Sequence, residues 1–313
     1  MHRSFQEISD LYNSPLLELV SRAHGVRREN HPVQKVQLCT LISIKTGGCT
    51  EDCKYCAQSA RYSTAVRAEP MMTIDQVRQL AQEAKARGAT RVCLGAAWRK
   101  IRGISVFERI LEMVRTVKEL GVEVCCTLGT LSLAEAEQLK NAGLYAYNHN
   151  IDTSREFYPS IITTRTFDER LQTLEHVKCA GLKVCCGGIL GLGESREDRI
   201  SFLATLSAIA PESLPINLLS PVRGTPLEDA TPVPFWELLR TIATARILLP
   251  KTMLRLSCGR ATLNAEQQTL ALMAGINSIF LGEKLLTVAN NPLESDAELF
   301  TLLGLEGRAP YES

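Results

Sequence analysis

Short apolar runs alternate with amphipathic stretches along most of the chain. The runs are rich in Val, Ile, Leu and Cys, as expected of strands that are buried on both faces. Most are followed by a stretch with helical periodicity, and this alternation is typical of a parallel sheet covered by helices. The eight predicted strands are Leu38–Ile44, Arg91–Gly95, Glu123–Leu128, Tyr145–His149, Lys183–Ile189, Ser213–Leu218, Leu254–Ser257 and Ser278–Phe280.

Helix start and stop signals separate these runs. Capping boxes begin at Thr73, Ser105, Ser132, Thr166 and Ser295, with a weaker Asp form at Ser195. Closing glycines follow at Gly88, Gly121, Gly143, Gly181, Gly275 and Gly304. Eight strand–helix units favour an α/β fold of the closed (β/α)8 TIM type, with a doubly wound open sheet as the alternative. We expect an N-terminal helical extension (1–35), the barrel (36–306) and a C-terminal tail (307–313).

Composition and charge narrow the class of protein. The chain has 313 residues, of which 45% are hydrophobic, with 35 Lys and Arg against 34 Asp and Glu. This balance, without a basic stripe, predicts binding neither to nucleic acid nor to anionic lipid. No apolar run reaches membrane-span length, and the first residues do not resemble a signal peptide, so we expect a cytoplasmic protein. In such a protein eleven cysteines indicate metal ligands or free thiols and not disulfides.

Three cysteines are concentrated in one loop after the first predicted strand. Cys49, Cys53 and Cys56 can place three thiolates on one metal centre, and neither a histidine nor a fourth cysteine lies nearby. Structural zinc sites and most iron–sulfur clusters have four protein ligands. The pattern therefore favours a [4Fe–4S] cluster with one open iron. Zinc completed by a distant residue, or cysteines without metal, are the alternatives.

Three predicted strands carry cysteines at corresponding positions, namely Cys93, Cys125 and Cys185. They indicate either a second metal centre inside the barrel or ordinary core packing. Two of them have a neighbouring cysteine, Cys126 and Cys186. Strand alternation allows only one member of each pair to face the lumen, and periodicity does not decide which one.

Polar strand ends supply candidate ligand-binding groups. Alternation places Asn148, Asn150 and Asp152 on one side, where amides suit hydroxyl- or urea-like hydrogen bonding, or simply end a strand. Asn217 is a further amide in an apolar strand. Gly187–Glu194 is a glycine-rich turn before a helix, suited to close approach of a ligand or to a tight turn alone. No Ser-His-Asp or Cys-His pattern indicates hydrolytic catalysis.

These motifs resemble a known family. The spacing Cys49-x3-Cys53-x2-Cys56, with Tyr55 before the last cysteine, resembles the radical S-adenosylmethionine (SAM) superfamily. Further blocks narrow the resemblance to the biotin synthase family over nearly the whole chain. They are Ser43-Ile-Lys-Thr-Gly-Gly, Gly95-Ala-Ala-Trp98, Thr127-Leu-Gly-Thr-Leu131, Tyr147-Asn-His-Asn-Ile-Asp-Thr-Ser154, Ile161-Ile-Thr-Thr-Arg-Thr166, Pro215-Ile-Asn217 and Gly282-Glu-Lys-Leu-Leu286.

The resemblance implies a homodimeric barrel that converts dethiobiotin to biotin, the last step of biotin biosynthesis. A [4Fe–4S] cluster on Cys49, Cys53 and Cys56 would bind SAM and cleave it to a 5′-deoxyadenosyl radical, which removes hydrogen from dethiobiotin. The sulfur would come from a [2Fe–2S] cluster on Cys93, Cys125, Cys185 and Arg255. Implied partners are an electron donor such as flavodoxin or ferredoxin and iron–sulfur assembly proteins.

The resemblance also implies roles for individual residues in binding SAM and substrate. The implied SAM-binding residues are Tyr55, Asn150, Asp152, Arg170, Gly187, Ile189 and Gly191. The implied substrate-binding residues are Asn148, Asn150 and Asn217. One departure from the family pattern is Cys258, where the family has a small residue, and Cys126 and Cys186 add two more thiols beside implied ligands. Rival functions are another radical SAM barrel enzyme or a non-catalytic iron–sulfur sensor or carrier.

Overall fold

Eight parallel strand positions close into a barrel in the computed structural model, which describes residues 3–311. Pairing of the last barrel strand with the first, through Gln37 and Ser278, completes the ring and confirms the predicted closed barrel. The strands are β1 (Lys35–Lys45), β2 (Arg91–Ala96), β3 (Glu123–Thr127), β4 (Ala146–Asn148), β5 (Lys183–Cys185), β6 (Gly188–Leu190), β7 (Ser213–Leu218), β8 (Met253–Leu256) and β9 (Ser278–Phe280).

The fifth strand position differs from the prediction because it is divided between β5 and β6. At the break, a Cβ on Gly187 would lie 1.9 Å from the Pro215 carbonyl oxygen, so only glycine allows this approach. After the break, β6 pairs with β7, and Gly188 forms an isolated bridge to Asp152. The glycines thus bring the end of this strand position against the polar strand end that follows β4.

Helices surround the barrel, and their bounds are α1 (Phe5–Asn13), α2 (Leu16–Asn30), α3 (Ile74–Ala86), α4 (Ile104–Glu119), α5 (Leu133–Asn141), α6 (Phe167–Cys179), α7 (Arg196–Ile209), α8 (Phe235–Leu248), α9 (Ala265–Ala274) and α10 (Leu293–Leu303). The capping boxes at Thr73, Ser132, Thr166 and Ser195 are present. Those predicted at Ser105 and Ser295 are wrong. Helix α4 begins after Gly103, whose φ of 91° sets the chain direction, and α10 begins after Pro292. Both serines therefore lie inside the first helical turn.

The N-terminal helices α1 and α2 pack on the outside of the barrel against α7, α8 and α9. The Tyr12 hydroxyl lies 3.1 Å from Thr241 Oγ1, and Arg27 donates to the Leu272 carbonyl at 2.8 Å. These contacts fix the extension to the outer layer of helices.

The two mouths of the barrel are covered differently. At the mouth formed by the strands' carboxyl ends, a hairpin of β10 (Lys284–Leu285) and β11 (Val288–Ala289) packs beside the central cavity. At the opposite mouth, β12 (Glu306–Gly307) pairs with the start of β1, and the Tyr311 amide donates to Glu123 at 2.8 Å. The tail thus covers the floor of the lumen. No helix within residues 3–311 is long and apolar enough to cross a lipid bilayer.

Buried apolar side chains form two separate groups. The larger fills the layer between strands and helices. The smaller, which we call the lumen cluster, lies inside the barrel and contains Cys39, Cys93, Cys125, Ala146, Cys185, Phe280 and Leu285. The concentration of thiols inside the barrel distinguishes this lumen from an ordinary packed core, which branched aliphatic side chains dominate.

Candidate active site

The loop between β1 and α3 carries the three-cysteine motif at the carboxyl-end mouth of the barrel. Backbone hydrogen bonds fold it back on itself: the Cys49 amide donates to the Gln58 carbonyl at 2.9 Å, and the Cys56 amide donates to the Cys53 carbonyl at 2.9 Å. Gly47 begins the turn with φ of 67°, and a Cβ there would lie 2.6 Å from a backbone oxygen. The loop therefore takes part of its fold from its own backbone hydrogen bonds.

Two acidic side chains anchor this loop to the segment before α6. Asp52 accepts hydrogen bonds from the backbone amides of Thr163 and Thr164 at 3.0 and 3.1 Å. Partial burial acts to raise the pKa of Asp52, but these hydrogen bonds and those from the threonine hydroxyls outweigh it and lower the pKa to about 2. Glu51, which is buried, lies 3.1 Å from Arg99 and 3.6 Å from Arg165.

The three loop thiols are half-buried and face a common cavity. Burial raises the pKa of all three, that of Cys56 to about 11. As free thiols they are neutral, and as iron ligands they would bind as thiolates and release protons.

A cavity of about 300 Å³ joins the loop thiols to the barrel interior. Its wall includes nearly every residue singled out from the sequence. They are Cys49, Cys53, Tyr55, Cys56, Cys93, Cys125, Asn148, Asn150, Asp152, Arg170, Cys185, Asn217 and Arg255. A second space of about 230 Å³ continues from it past Ile189 and Cys258, and Asn150, Asp152 and Asn217 line both. Gly187 and Gly191 lie beside these spaces without lining either.

The strand cysteines meet inside the barrel. Cys93 and Cys125 are in register on β2 and β3, while Cys185 is in register with Asn148 on β5 and β4. A hydrogen bond from Cys125 lowers the pKa of Cys185 to about 5 against the effect of burial, and the positive charge of Arg255 adds to this lowering. The same donor lowers the pKa of Cys93.

The neighbouring cysteines point the other way. Cys126 and Cys186 belong to the layer between strands and helices, where burial raises the pKa of both thiols. Periodicity did not decide which cysteine of each pair faces the lumen. In the structure Cys125 and Cys185 face it. Cys258 lines the second cavity and does not belong to the lumen cluster.

Arg255 completes the inner wall. It is 1% exposed, and its guanidinium donates to Ser278 Oγ at 3.0 Å and to Gln37 Oε1 at 3.1 Å. Nη1 lies 4.0 Å from Cys185 Sγ. Among residues 3–311, no carboxylate forms an ion pair with Arg255, whereas the nearby Arg91 pairs with Glu123 at 2.6 Å. A buried cation without an anion is costly, so this site favours thiolate or another anionic group.

Asn148 at the end of β4 and Asn150 and Asp152 just after it line the same cavity, as alternation predicted. Asn148 Nδ2 donates to Asn150 Oδ1 at 3.0 Å and lies 3.2 Å from Cys185 Sγ. Asn150 Oδ1 also accepts from the Gly187 amide at 3.1 Å. Its NH2 group has no partner among the described residues and lies on the cavity wall, available as a donor.

Asp152 is held in a strained position by two side chains. Its φ of 67° lies in the left-handed region, which a non-glycine residue adopts only when its surroundings require it. Arg170 forms an ion pair with it at 2.7 Å, and the Tyr55 hydroxyl donates to it at 2.9 Å. Arg170 also donates to the Asn150 carbonyl at 2.7 Å, so it fixes both residues.

Asn217 is a polar residue in an apolar strand, and both ends of its side-chain amide are hydrogen-bonded. Its Nδ2 donates to the Gly188 carbonyl at 2.9 Å, and its Oδ1 accepts from the Cys258 amide at 3.1 Å. It ties three strand ends together beside the cavity. In the glycine-rich turn, Glu194 accepts from the Gly191 amide at 3.0 Å and pairs with Arg199 at 2.9 Å, which fixes the turn.

Sequence reasoning missed several residues of the site. The lumen thiol Cys39, the Arg255 partners Gln37 and Ser278, and the loop anchor Glu51 were not singled out. Strand alternation offered a signal for Cys39, since it lies two residues before Leu41, which pairs with Cys93. The hydrogen-bond partners of Arg255 come from strands far apart in sequence, and no local pattern links them.

The donor set fits iron–sulfur clusters. No group of three or more His, Cys, Asp and Glu side chains in residues 3–311 is arranged to hold a single metal ion. The six thiols instead form two sets on one cavity wall, and soft thiolates are the ligands that iron–sulfur clusters take.

Two family models match the chain. The radical SAM superfamily matches residues 43–206, and the Biotin and Thiamin Synthesis associated domain matches residues 215–306. The chain is 54% identical to biotin synthase of Chlamydia abortus, over 98% of this chain and 94% of that protein. It is also 54% identical to the mitochondrial biotin synthase of Arabidopsis thaliana, over 98% of this chain and 82% of that protein.

Solved structures share the fold. Methylornithine synthase has a TM-score of 0.81 at 21% identity, covering 100% of this chain and 95% of that one. The FeFe-hydrogenase maturase HydG from Carboxydothermus hydrogenoformans has a TM-score of 0.83 at 16% identity, covering 98% of this chain and 76% of that one. At these identities the likeness concerns the barrel alone.

Proposed function

The chain belongs to the biotin synthase family of radical SAM enzymes, and from this premise we propose how its residues carry out the conversion of dethiobiotin to biotin. The observation that carries the assignment is the cavity of about 300 Å³ that has the loop thiols at one end and the lumen thiols at the other. A substrate between them is within reach of both.

When bound, these groups would supply the bond-breaking chemistry: SAM on the [4Fe–4S] cluster would provide a 5′-deoxyadenosyl radical, and the [2Fe–2S] cluster would provide sulfur. In our proposal Cys49, Cys53 and Cys56 hold the first cluster. Cys93, Cys125, Cys185 and Arg255 hold the second. The protein's own part is to bind, orient and exclude water.

For SAM, we assign the ribose hydroxyls to Asp152 and the NH2 group of Asn150. A carboxylate accepts from hydroxyls and an amide NH2 donates to them, so the two are complementary to a diol. Arg170 has three contacts within the protein, to Asp152, Asn150 and Tyr158. We therefore assign it chiefly to positioning, with its remaining N–H groups directed to the methionyl end.

Tyr55 positions Asp152 through the hydrogen bond at 2.9 Å. On the adenine side we place Gly187, Ile189 and Gly191. Gly187 keeps this strand close to β7, and Ile189 provides an apolar surface beside Asp152.

For dethiobiotin, the ureido ring offers two N–H donors and one carbonyl acceptor. Asn148 Oδ1 accepts one hydrogen bond, from Thr127 at 3.1 Å, and has a second lone pair for a ring N–H. The NH2 groups of Asn150 and Asn217 supply donors for the ring carbonyl. This set orients a neutral urea without any charged group.

Radical chemistry needs a cavity with little water, because a carbon radical reacts with most neighbours. Phe280, Leu286 and Tyr55 contribute apolar surface to the cavity wall. The hairpin of β10 and β11 lies over the same region. These apolar groups would shield the space between the two thiol sets.

Partners and location belong to the same proposal. We propose a homodimer, an electron donor such as flavodoxin or ferredoxin, and iron–sulfur assembly proteins as partners. A cytoplasmic location is supported by the eleven free cysteines, which suit a reducing compartment. Sedimentation of the reconstituted protein, and fractionation of cells that express it, test the dimer and the location.

The activity test is anaerobic reconstitution with iron and sulfide, followed by SAM, reductant and dethiobiotin. We expect 5′-deoxyadenosine, methionine and biotin, quantified by chromatography. Cys93→Ser should still form 5′-deoxyadenosine but lose biotin, whereas the exposed control Cys179→Ser should keep both. Absence of 5′-deoxyadenosine from the wild type would refute the radical assignment. An undiminished yield of biotin from Cys93→Ser would refute the auxiliary site.

A further inference from the structure

A fourth thiol lies inside the barrel with the three assigned to the auxiliary cluster. Cys39, on β1, is fully buried and belongs to the lumen cluster together with Cys93, Cys125 and Cys185. It is two residues from Leu41, the strand partner of Cys93. Cys39 forms no disulfide, and the function proposed above gives it no role.

Cys39 is adjacent to Arg255. Both contact Gln37 Oε1, at 3.6 Å from Cys39 Sγ and 3.1 Å from Arg255 Nη2. Both also contact Ser278 Oγ, at 3.7 Å from the thiol and 3.0 Å from Arg255 Nε. Two shared partners place the sulfur and the guanidinium side by side; Arg255 lines the cavity, and Cys39 belongs to the lumen cluster without lining it.

This arrangement is specific to Cys39 among the additional cysteines. Cys126 and Cys186 lie in the outer layer between strands and helices. Cys258 contacts Ser220 Oγ at 3.6 Å beside the second cavity. They offer matched controls, because Cys126 and Cys186 each adjoin a lumen cysteine in sequence yet face away from it.

The chemistry of the two side chains favours sulfur. A guanidinium is a cation without an acceptor lone pair, and it must lose a proton before it can bind iron. Thiolates are the usual ligands of iron–sulfur clusters. Arg255 has no carboxylate partner among the described residues, so a thiolate beside it would also supply the missing negative charge.

We propose that Cys39 is a fourth cysteine ligand of the auxiliary iron–sulfur centre, interchangeable with Arg255. When iron passes from Arg255 to Cys39, an iron–nitrogen bond breaks and an iron–sulfur bond forms. The Cys39 thiol loses its proton, and the released Arg255 side chain gains one and remains as the guanidinium beside the thiolate. Charge and protons balance without a redox step. The proposal rests on the assignment of the auxiliary site made above.

The test uses the full chain with Cys49, Cys53 and Cys56 changed to alanine, so that only the auxiliary centre can load. This parent is reconstituted anaerobically with ferrous iron and sulfide. Bound iron, bound sulfide and the Mössbauer and visible spectra are then measured. Arg255→Met should keep its cluster, and adding Cys39→Ala should reduce bound iron by roughly ten-fold or more. Cys39→Ser with Arg255→Met should alter the spectrum, since oxygen replaces sulfur on iron.

Each outcome bears on the proposal. Loss of the cluster in Arg255→Met alone, to the level of the double variant, would overturn it. So would an unchanged iron content when Cys39→Ala is added. Cys126→Ala and Cys186→Ala should load like the parent, and circular dichroism confirms that each variant is folded. We expect the parent to load a cluster and its Cys93→Ala derivative to load none. If the parent also loads none, both the auxiliary site and this inference are overturned.

Discussion

The ion pair between Arg170 and Asp152 gives the sharpest prediction about the SAM side of the cavity. Its atoms lie 2.7 Å apart, and the side chains are 8% and 3% exposed. We propose to change Arg170 to methionine, Asp152 to asparagine, and both together. Asparagine keeps the shape of Asp152 and tolerates its φ of 67°.

Removing one partner of a buried pair leaves a buried charge, which costs about 3–5 kcal/mol of folding free energy. For 313 residues the unfolding entropy is about 0.66 kcal/mol/K, so each single change should lower Tm by roughly 5–8 °C. The double variant removes both charges. We expect its loss to be smaller than the sum of the single losses by about 2 kcal/mol or more.

The matched control is the ion pair of Arg155 and Asp168, where Asp168 lies on the same helix as Arg170. Its atoms are 2.8 Å apart, but its side chains are 48% and 76% exposed. Arg155→Met should therefore cost less than about 1 kcal/mol. Calorimetry of anaerobically prepared proteins measures all of these changes, and titration with SAM measures binding.

Asp152→Asn should also weaken SAM binding by roughly 10- to 150-fold, the value of a hydrogen bond to a charged acceptor. Arg155→Met should not change it. A shift in Tm of under about 2 °C for Arg170→Met would show that the pair is not a buried charge pair. Strict additivity in the double variant would refute the coupling, and unchanged SAM affinity in Asp152→Asn would refute the ribose assignment.

Three further changes test the scaffold of the site. Asp52→Ala removes the anchor of the cluster loop and should reduce iron in the loop cluster by roughly ten-fold, whereas the exposed Asp168→Ala should not, as iron analysis would show. Gly187→Ala places a Cβ 1.9 Å from a backbone oxygen and should cost about 3 kcal/mol in urea unfolding, whereas Gly25→Ala, with open space around it, should stabilise the protein slightly. Burial and the nearby Arg246 lower the pKa of His31 to about 4, below its unfolded value of about 6.5, so stability should fall by about 1–2 kcal/mol from pH 7 to 5. His31→Gln should lose less stability over that pH range, and an equal loss would contradict the role given to His31.

Most of the barrel could be predicted from the sequence because each strand is a local signal. Buried runs such as Ser213–Leu218 were located to the residue. The division of the fifth strand was missed, because it depends on Gly187 approaching the Pro215 carbonyl, which no local pattern reveals. The two wrong helix starts have a related cause: Gly103 and Pro292 fix the backbone before the serines that matched the motif.

The loop thiols were predictable for a similar reason, since one short segment carries all three. The inner site is different. Cys93, Cys125 and Cys185 lie on separate strands, and only the closed barrel shows that they meet and that Cys126 and Cys186 do not join them. Alternation along a strand does not say which of two adjacent cysteines faces the lumen. The structure does, because the helices cover the face to which Cys126 and Cys186 belong.

Arg255 shows why the family resemblance and the physical reading must be combined. From sequence alone a buried arginine indicates a salt bridge, but in the structure its partners are three neutral oxygens and a thiol. The hydrogen bond from Cys125 is the largest cause of the lowered pKa of Cys185, and the positive charge of Arg255 adds to it. The guanidinium therefore favours thiolate at Cys185 through its charge, independently of the iron ligation that we propose for it. In our proposal Cys39 replaces Arg255 on the iron, and the released guanidinium remains beside the thiolate as its counter-ion.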